Sequence, residues 1–146
     1  MSGRLLVVSP HLDDAVMSVG ATVAEAVEFG CHVEICTVFA GQPQPPLSGV
    51  ATRFHAECGL GDDAITRRRS EDIAAVGMLG GHPVHQDLLD AVYRTSHGGW
   101  LCTHDRAMFD PLPLDRQLVA AVAEVVAGRI TETGPDQVWT CRAVGG

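Results

Sequence analysis

Apolar residues along this chain alternate between two periods. Leu5, Leu6, Val7 and Val8 form a short unbroken run closed by Ser9-Pro10, the pattern of a strand buried on both faces of a parallel sheet. Pro10 has no N–H for a ladder and biases the residue before it towards extended geometry, so the strand ends at Ser9 and the chain turns. Val16, Val19, Ala21, Val23, Ala24, Ala26 and Val27 then recur at helical spacing, with Gly30 placed to end the helix. Residues 32–38 read as a second strand, which completes a β-α-β unit with a right-handed crossover. Asp62-Asp63 offers an N-cap for a helix over 64–79, ended by Gly80-Gly81, with Ile65, Ile73, Val76 and Leu79 towards the sheet. A short third strand is predicted over 83–88. The last helix spans 114–127, with Leu118, Val119, Val122, Val125 and Val126 as its core stripe and Gly128 closing it. A further parallel strand follows over 137–141. The expected fold class is α/β with a mostly parallel sheet.

Two stretches break both periods. Residues 39–53, with Gly41, Pro43, Pro45, Pro46 and Gly49, predict an irregular connection longer than usual. Residues 90–113 are also irregular and hold Tyr93, Arg94, Ser96, His97, Trp100, His104 and Phe109. Aromatic, glycine and histidine residues on such a loop suit a ligand-binding rim with Ser96 and His97 as candidate contacts, while a lone loop histidine is more often solvent-exposed than catalytic.

Composition narrows the class. A length of 146 residues gives one domain with a single core. All ten positive residues are arginine, and a formal net charge of −8 excludes nucleic acid as the expected partner. Five cysteines at 31, 36, 58, 102 and 141 form no C-x-x-C pair, which suits a reducing, cytoplasmic compartment. No signal peptide is expected, since the chain enters a strand almost at once, and no apolar run approaches membrane-spanning length.

The candidate chemistry lies on the first turn. His11, Asp13 and Asp14 fall at the carboxyl edge of a strand, where open α/β sheets bind ligands. The three-residue spacing from His11 to Asp14 can bring an imidazole and a carboxylate to one metal ion. Asp13 is then left unliganded, placed to act as a general base on a water that the ion activates. The same residues also suit a plain helix start, since Asp is a favoured N-cap stabilised by the helix dipole. His82-Pro83-Val84-His85 looks like a metal pair, but strand alternation puts its two histidines on opposite faces.

Ser9-Pro10-His11-Leu12-Asp13-Asp14, with Gly20 in the next helix, resembles the (A/S)-P-H-x-D-D signature of the PIG-L or LmbE-like zinc-dependent N-deacetylases. Arg68-Arg69-Ser70-Glu71, followed by Ala74, Ala75 and Leu79-Gly80, resembles the family's R-x-x-E helix, and Leu89-Asp90-Ala91 falls where members carry an L-P-D-G or P-D-A segment. The order of the three matches is kept along the chain. The resemblance implies a Rossmann-like fold with helices on both faces of the sheet and removal of an acetyl group from an N-acetylglucosamine-type amino sugar. The all-arginine composition and the loop aromatics make the chain similar to the branch acting on glycopeptide antibiotic intermediates. It further implies one Zn²⁺ held by His11 and Asp14, catalysis by Asp13, a substrate contact at Arg68, a supporting role for Glu71, and a substrate-facing segment after the second strand. An ion pair between Arg67 or Arg68 and Glu71 is the competing reading of that helix.

A catalytic zinc takes three protein ligands and keeps an open position. In the family the third is a histidine in an H-x-D-H or H-P-D-H segment after a strand and a small-residue turn; here 137–141 leads into Val144-Gly145-Gly146. None of His32, His55, His82, His85, His97 and His104 has that placement. The expectation is therefore that residues 1–146 are the amino-terminal part of a deacetylase domain, truncated before its third ligand, which the remainder of its own chain or a second fragment supplies. Two readings from other classes stand beside the enzyme: a non-catalytic sugar-binding relative, and a receiver-like signalling domain. The second requires a late lysine, and the chain has no lysine.

Overall fold

The computed structural model describes residues 3–141, and its first strand, β1 (Arg4–Ser9), stops at the Ser9-Pro10 step as predicted. After it come α1 (Asp14–Glu28), β2 (His32–Thr37), α2 (Gly49–Glu57), α3 (Ala64–Met78) and β3 (His82–His85). The two-residue strands β4 (Thr95–Ser96) and β5 (Gly99–Trp100), then α4 (Arg116–Thr133) and β6 (Gln137–Thr140), complete the order, with short 3-10 turns at Ala91–Tyr93 and Ala107–Phe109. β3, β2, β1 and β6, in that order, form one parallel sheet, and β4 and β5 pair as an antiparallel hairpin. No helix among the described residues is long and apolar enough to cross a membrane.

Register and strand alternation decide which helix covers which face. Leu5 and Val7 lie beside Val33 and Ile35, and these four pack with Ala15 and Val23 of α1 and Val76 of α3 in one buried cluster. Leu6 lies beside Glu34 and both turn to the opposite face. There Arg129 of α4 donates from Nε to Glu34 Oε1 at 2.9 Å and from Nη2 to Oε2 at 2.6 Å. Helices therefore cover both faces, as expected. The chain runs from β1 outward through β2 to β3, then returns to place β6 on the other side of β1. The order reverses at β1, and the crevice outside the carboxyl ends at such a switch point is the ligand site of open α/β sheets. The β1–α1 turn lies there.

Several expectations are corrected. The irregular stretch predicted over 39–53 gives way at Gly49 to α2, because the Ser48 hydroxyl accepts the Ala51 N–H at 3.0 Å and starts a helix. Val50, Ala51 and His55 of α2 are buried, and His55 Nε2 lies 2.6 Å from the Tyr93 hydroxyl. Burial holds His55 below the ordinary histidine range and pushes the Tyr93 hydroxyl up to about 12. α4 runs past Gly128 to Thr133. Asp115 Oδ1 caps its start through the N–H groups of Gln117 and Leu118, and Gly134, at φ 55°, ends it. A glycine inside a helix costs only about 0.5–1 kcal/mol, and Arg129, next to it, is tied to Glu34. The α4 stripe is half-buried, with no residue fully covered, and Val119 is 56% exposed. On α3, Ile73 faces solvent and Asp72 takes the inward position. The third strand starts and ends earlier than predicted, so His85 sits at its carboxyl end. Val144-Gly145-Gly146 lie outside the described residues.

Gly41 fixes the chain beside the switch point. Its N–H donates to Leu88 O at 3.0 Å, and a Cβ there would come within 2.3 Å of Asp87 O and 2.9 Å of Leu88 O. Gly41→Ala is expected to cost at least about 1–3 kcal/mol, the usual range for overpacking. Denaturant unfolding checks this, and a midpoint equal to that of the parent would show that the contact is slack.

Candidate active site

Side-chain hydrogen bonds shape the turn after β1. Ser9 Oγ donates to His11 O at 2.8 Å and accepts the Ala15 N–H at 3.1 Å, so a residue before the turn satisfies an amide of the first turn of α1. Asp14 Oδ2 accepts the His11 N–H at 3.2 Å and lies 3.0 Å from His11 Nδ1. Asp13 occupies the N-cap position but makes no capping hydrogen bond, and its φ of 73° is left-handed. The plain helix-start reading therefore fails for Asp13, whose carboxylate is left free of the helix.

Such a conformation in a non-glycine residue costs about 1–2 kcal/mol and needs a partner. The Asp13 N–H donates to Asp72 Oδ1 at 3.0 Å, and hydrogen bonds to charged groups contribute about 1.5–3 kcal/mol. Asp72 is 2% exposed, and its second oxygen lies 2.7 Å from His85 Nε2. Arg69 Nε donates to His85 Nδ1 at 3.2 Å, which makes Nδ1 the acceptor and assigns the ring proton to Nε2. A chain of partners thus runs from Arg69 through His85 and Asp72 to the backbone of Asp13. The family resemblance implies a supporting role for Glu71, which is exposed; the residue that reaches the turn is its neighbour Asp72. Helical phase held the signal, since Asp72 lies seven residues after Ile65 and four before Val76, both buried.

Electrostatics set Asp13 apart. Burial raises its carboxyl above the ordinary range, the Arg68 guanidinium opposes that, and the carboxylates of Asp72, Glu71 and Asp14 add to it. Arg68 Nη2 also reaches Leu12 O at 3.5 Å. Arg68 is therefore at the turn, and no ion pair joins it or Arg67 to Glu71 among the described residues. Two further groups border His11. Asp90 Oδ1 is 3.7 Å from Nε2, and the Phe39 ring is tilted against the imidazole at 5.7 Å, with the Arg94 guanidinium over Phe39.

Ser96 and His97 stand elsewhere. Both are exposed on the β4–β5 hairpin, hydrogen-bonded to each other at 3.0 Å. They line a cleft of about 850 Å³ with Tyr93, Arg94 and the start of α4. No hydrogen bond among the described residues ties them to His11, Asp13 or Asp14. The structure brings together His11, Asp13, Asp14 and Arg68, and leaves Ser96 and His97 on a neighbouring rim joined to it through Arg94.

The donor set of the turn fits a zinc ion. Two ligands at about 2.0–2.1 Å from one tetrahedral zinc lie roughly 3.3 Å apart, close to the 3.0 Å between Nδ1 and Oδ2. Among the described residues no group of three or more His, Cys, Asp or Glu side chains is placed to hold an ion. His82 and His85 do face opposite ways, His82 stacking on His32 at 4.4 Å and His85 turning to α3.

A parallel sheet with helices on both faces and a histidine-aspartate turn at its switch point defines a Rossmann-like α/β fold, in which that edge of the sheet is the usual place for a ligand. The profile of the PIG-L family, GlcNAc-PI de-N-acetylase, matches residues 6–146, and the chain belongs to this family. The receiver-like alternative is thereby set aside. The 2'-N-acetylparomamine deacetylase of Niallia circulans is 33% identical over 104 residues, covering 62% of this chain and 38% of that protein. Among solved structures, a deacetylase–teicoplanin complex from the teicoplanin biosynthesis pathway superposes with a TM-score of 0.87 at 42% identity, over 96% of this chain and 58% of that one. The zinc-inhibited form of teicoplanin deacetylase Orf2 gives 0.85 at 42% identity, over 94% of this chain and 55% of that one. The chain thus spans just over half the length of these two solved relatives.

Proposed function

We propose that the chain carries the metal-binding turn of a zinc-dependent hydrolase that removes the acetyl group from an N-acetylglucosamine-type sugar on a glycopeptide antibiotic intermediate. The observation that carries the reading is Asp13: uncapped, left-handed, and placed beside a histidine-carboxylate pair at the switch point of the sheet. Family membership and the two teicoplanin deacetylase structures support the reaction class and the substrate class.

His11 and Asp14 would hold the ion together with a third ligand from outside the described residues. When bound, zinc supplies Lewis-acid polarisation of the acetyl carbonyl and lowers the pKa of water. Asp13 takes the proton of the attacking water as its oxygen bonds to the carbonyl carbon. The C–N bond then breaks, acetate leaves, and the amine departs with a proton delivered by a group outside the described residues. Arg68 contacts substrate from beside Asp13, and Ser96 and His97 offer polar groups on the rim of the 850 Å³ cleft. That cleft gives a substrate larger than one sugar a surface to lie on. We place that third ligand in the part of the relatives' length that this chain does not span, which would pack against the half-covered α4 and the edge strand β6. All five cysteines are free, in keeping with a cytoplasmic site of action.

The test is acetate release from an N-acetylglucosaminyl teicoplanin pseudoaglycone beside a simple N-acetylglucosaminide. Preference for the glycopeptide by more than about tenfold in kcat/KM, worth some 1.4 kcal/mol of transition-state binding, is expected. Tight binding of both without acetate release would favour the non-catalytic sugar-binding relative.

A further inference from the structure

The role given to Asp13 leaves a buried acid unused. Asp72 is 2% exposed, is carried on α3 fifty-nine residues away in sequence, and accepts the Asp13 N–H at 3.0 Å. A carboxylate is retained at such depth only with partners, and the partners here are specific. One oxygen faces the Asp13 amide and the other faces His85 Nε2, whose tautomer Arg69 fixes from behind.

We propose that Asp72, oriented by His85, is a positioning residue that holds the backbone of Asp13 in its left-handed conformation and thereby sets the place of the Asp13 carboxylate. The proposal rests on the role of Asp13 given above. Its geometric basis is independent of the metal ligands. His11 and Asp14 are tied to each other, and His11 O to the Ser9 hydroxyl, by bonds within residues 9–14, whereas Asp13 is tied to α3 through its amide. Removing Asp72 should therefore displace the base while leaving the ligand pair intact. Misplacement on the ångström scale costs up to about 10²-fold in rate.

Asp72→Ala and Asp72→Asn separate the two bonds. Asparagine keeps an oxygen for the Asp13 N–H, but it puts an amide N–H against His85 Nε2. With the parent protein zinc-loaded, Asp72→Ala is expected to lower kcat by about 10- to 100-fold with KM and zinc affinity changed less than about twofold, and Asp72→Asn to recover most of that loss. In an Asp13→Asn background, Asp72→Ala should lower the residual turnover by less than about twofold, because residues acting as a unit are not additive. An equal fall in that background, or Asp72→Asn as poor as Asp72→Ala, would reduce Asp72 to a brace between α3 and the turn. Amide exchange at Asp13, followed by NMR, needs no turnover. It is expected to quicken by at least about tenfold in Asp72→Ala, the loss of one protecting hydrogen bond, and to stay slow in Asp72→Asn. Exchange that is unchanged in folded Asp72→Ala overturns the proposal even if the protein proves to have no deacetylase activity; quickened exchange in an inactive parent protein would sustain the positioning and defeat only the reaction assigned to Asp13.

Discussion

Asp13→Asn is expected to bind zinc as the parent does and to lose turnover by about 10²-fold or more, the scale of a lost general base. Three features of the turn make the effect large and specific. Asp13 makes no capping hydrogen bond, so α1 does not depend on its carboxylate. Asparagine tolerates the left-handed region better than most residues, so the φ of 73° is kept at little cost. The backbone N–H that Asp72 holds is unchanged by the substitution. What the variant removes is the proton acceptor, whose affinity for a proton burial raises. Zinc content and steady-state kinetics on one preparation check the prediction. Loss of zinc from Asp13→Asn would make Asp13 a ligand and require its role to be exchanged with that of Asp14.

The second large effect is on the metal itself. His11→Ala and Asp14→Ala should each weaken zinc binding by more than about 10²-fold, since even outer partners of metal ligands cost 10- to 100-fold. Their secondary consequences differ. Asp14 also accepts the His11 N–H at 3.2 Å, so Asp14→Ala loosens the turn as well as removing a ligand, whereas His11→Ala leaves that backbone bond in place. Competitive titration with a chromogenic chelator gives both affinities. Unaltered binding in either variant would move the ion away from this turn.

What the sequence made legible follows from how local each signal is. β1, its stop at Pro10, α1 and its end at Gly30 were set by patterns only a few residues long, and the structure keeps them. The proposed ligands His11 and Asp14 and the proposed base Asp13 lie on one turn, so their proximity is legible for the same reason. α2 was hidden because the prolines and glycines before it read as breakers, while its single start signal, Ser48, looks like any loop serine. The end of α4 was misplaced because Gly128 resembles a stop, and the Arg129–Glu34 pair that ties the next turn to β2 joins residues ninety-five apart. Asp72 was missed for a related reason. The family pattern drew attention to the acid at 71, whereas helical phase puts the one at 72 inward, and its partners at Asp13 and His85 come from two other elements.

Anomalous diffraction at the zinc edge, from crystals of the zinc-loaded protein, tests the central claim most directly. The account predicts a single peak at the β1–α1 turn, about 2.0–2.1 Å from a ring nitrogen of His11 and a carboxylate oxygen of Asp14, with Asp13 outside the coordination shell and its φ still positive. A peak on His85 or on the His32–His82 stack, or one coordinated by Asp13, would contradict it.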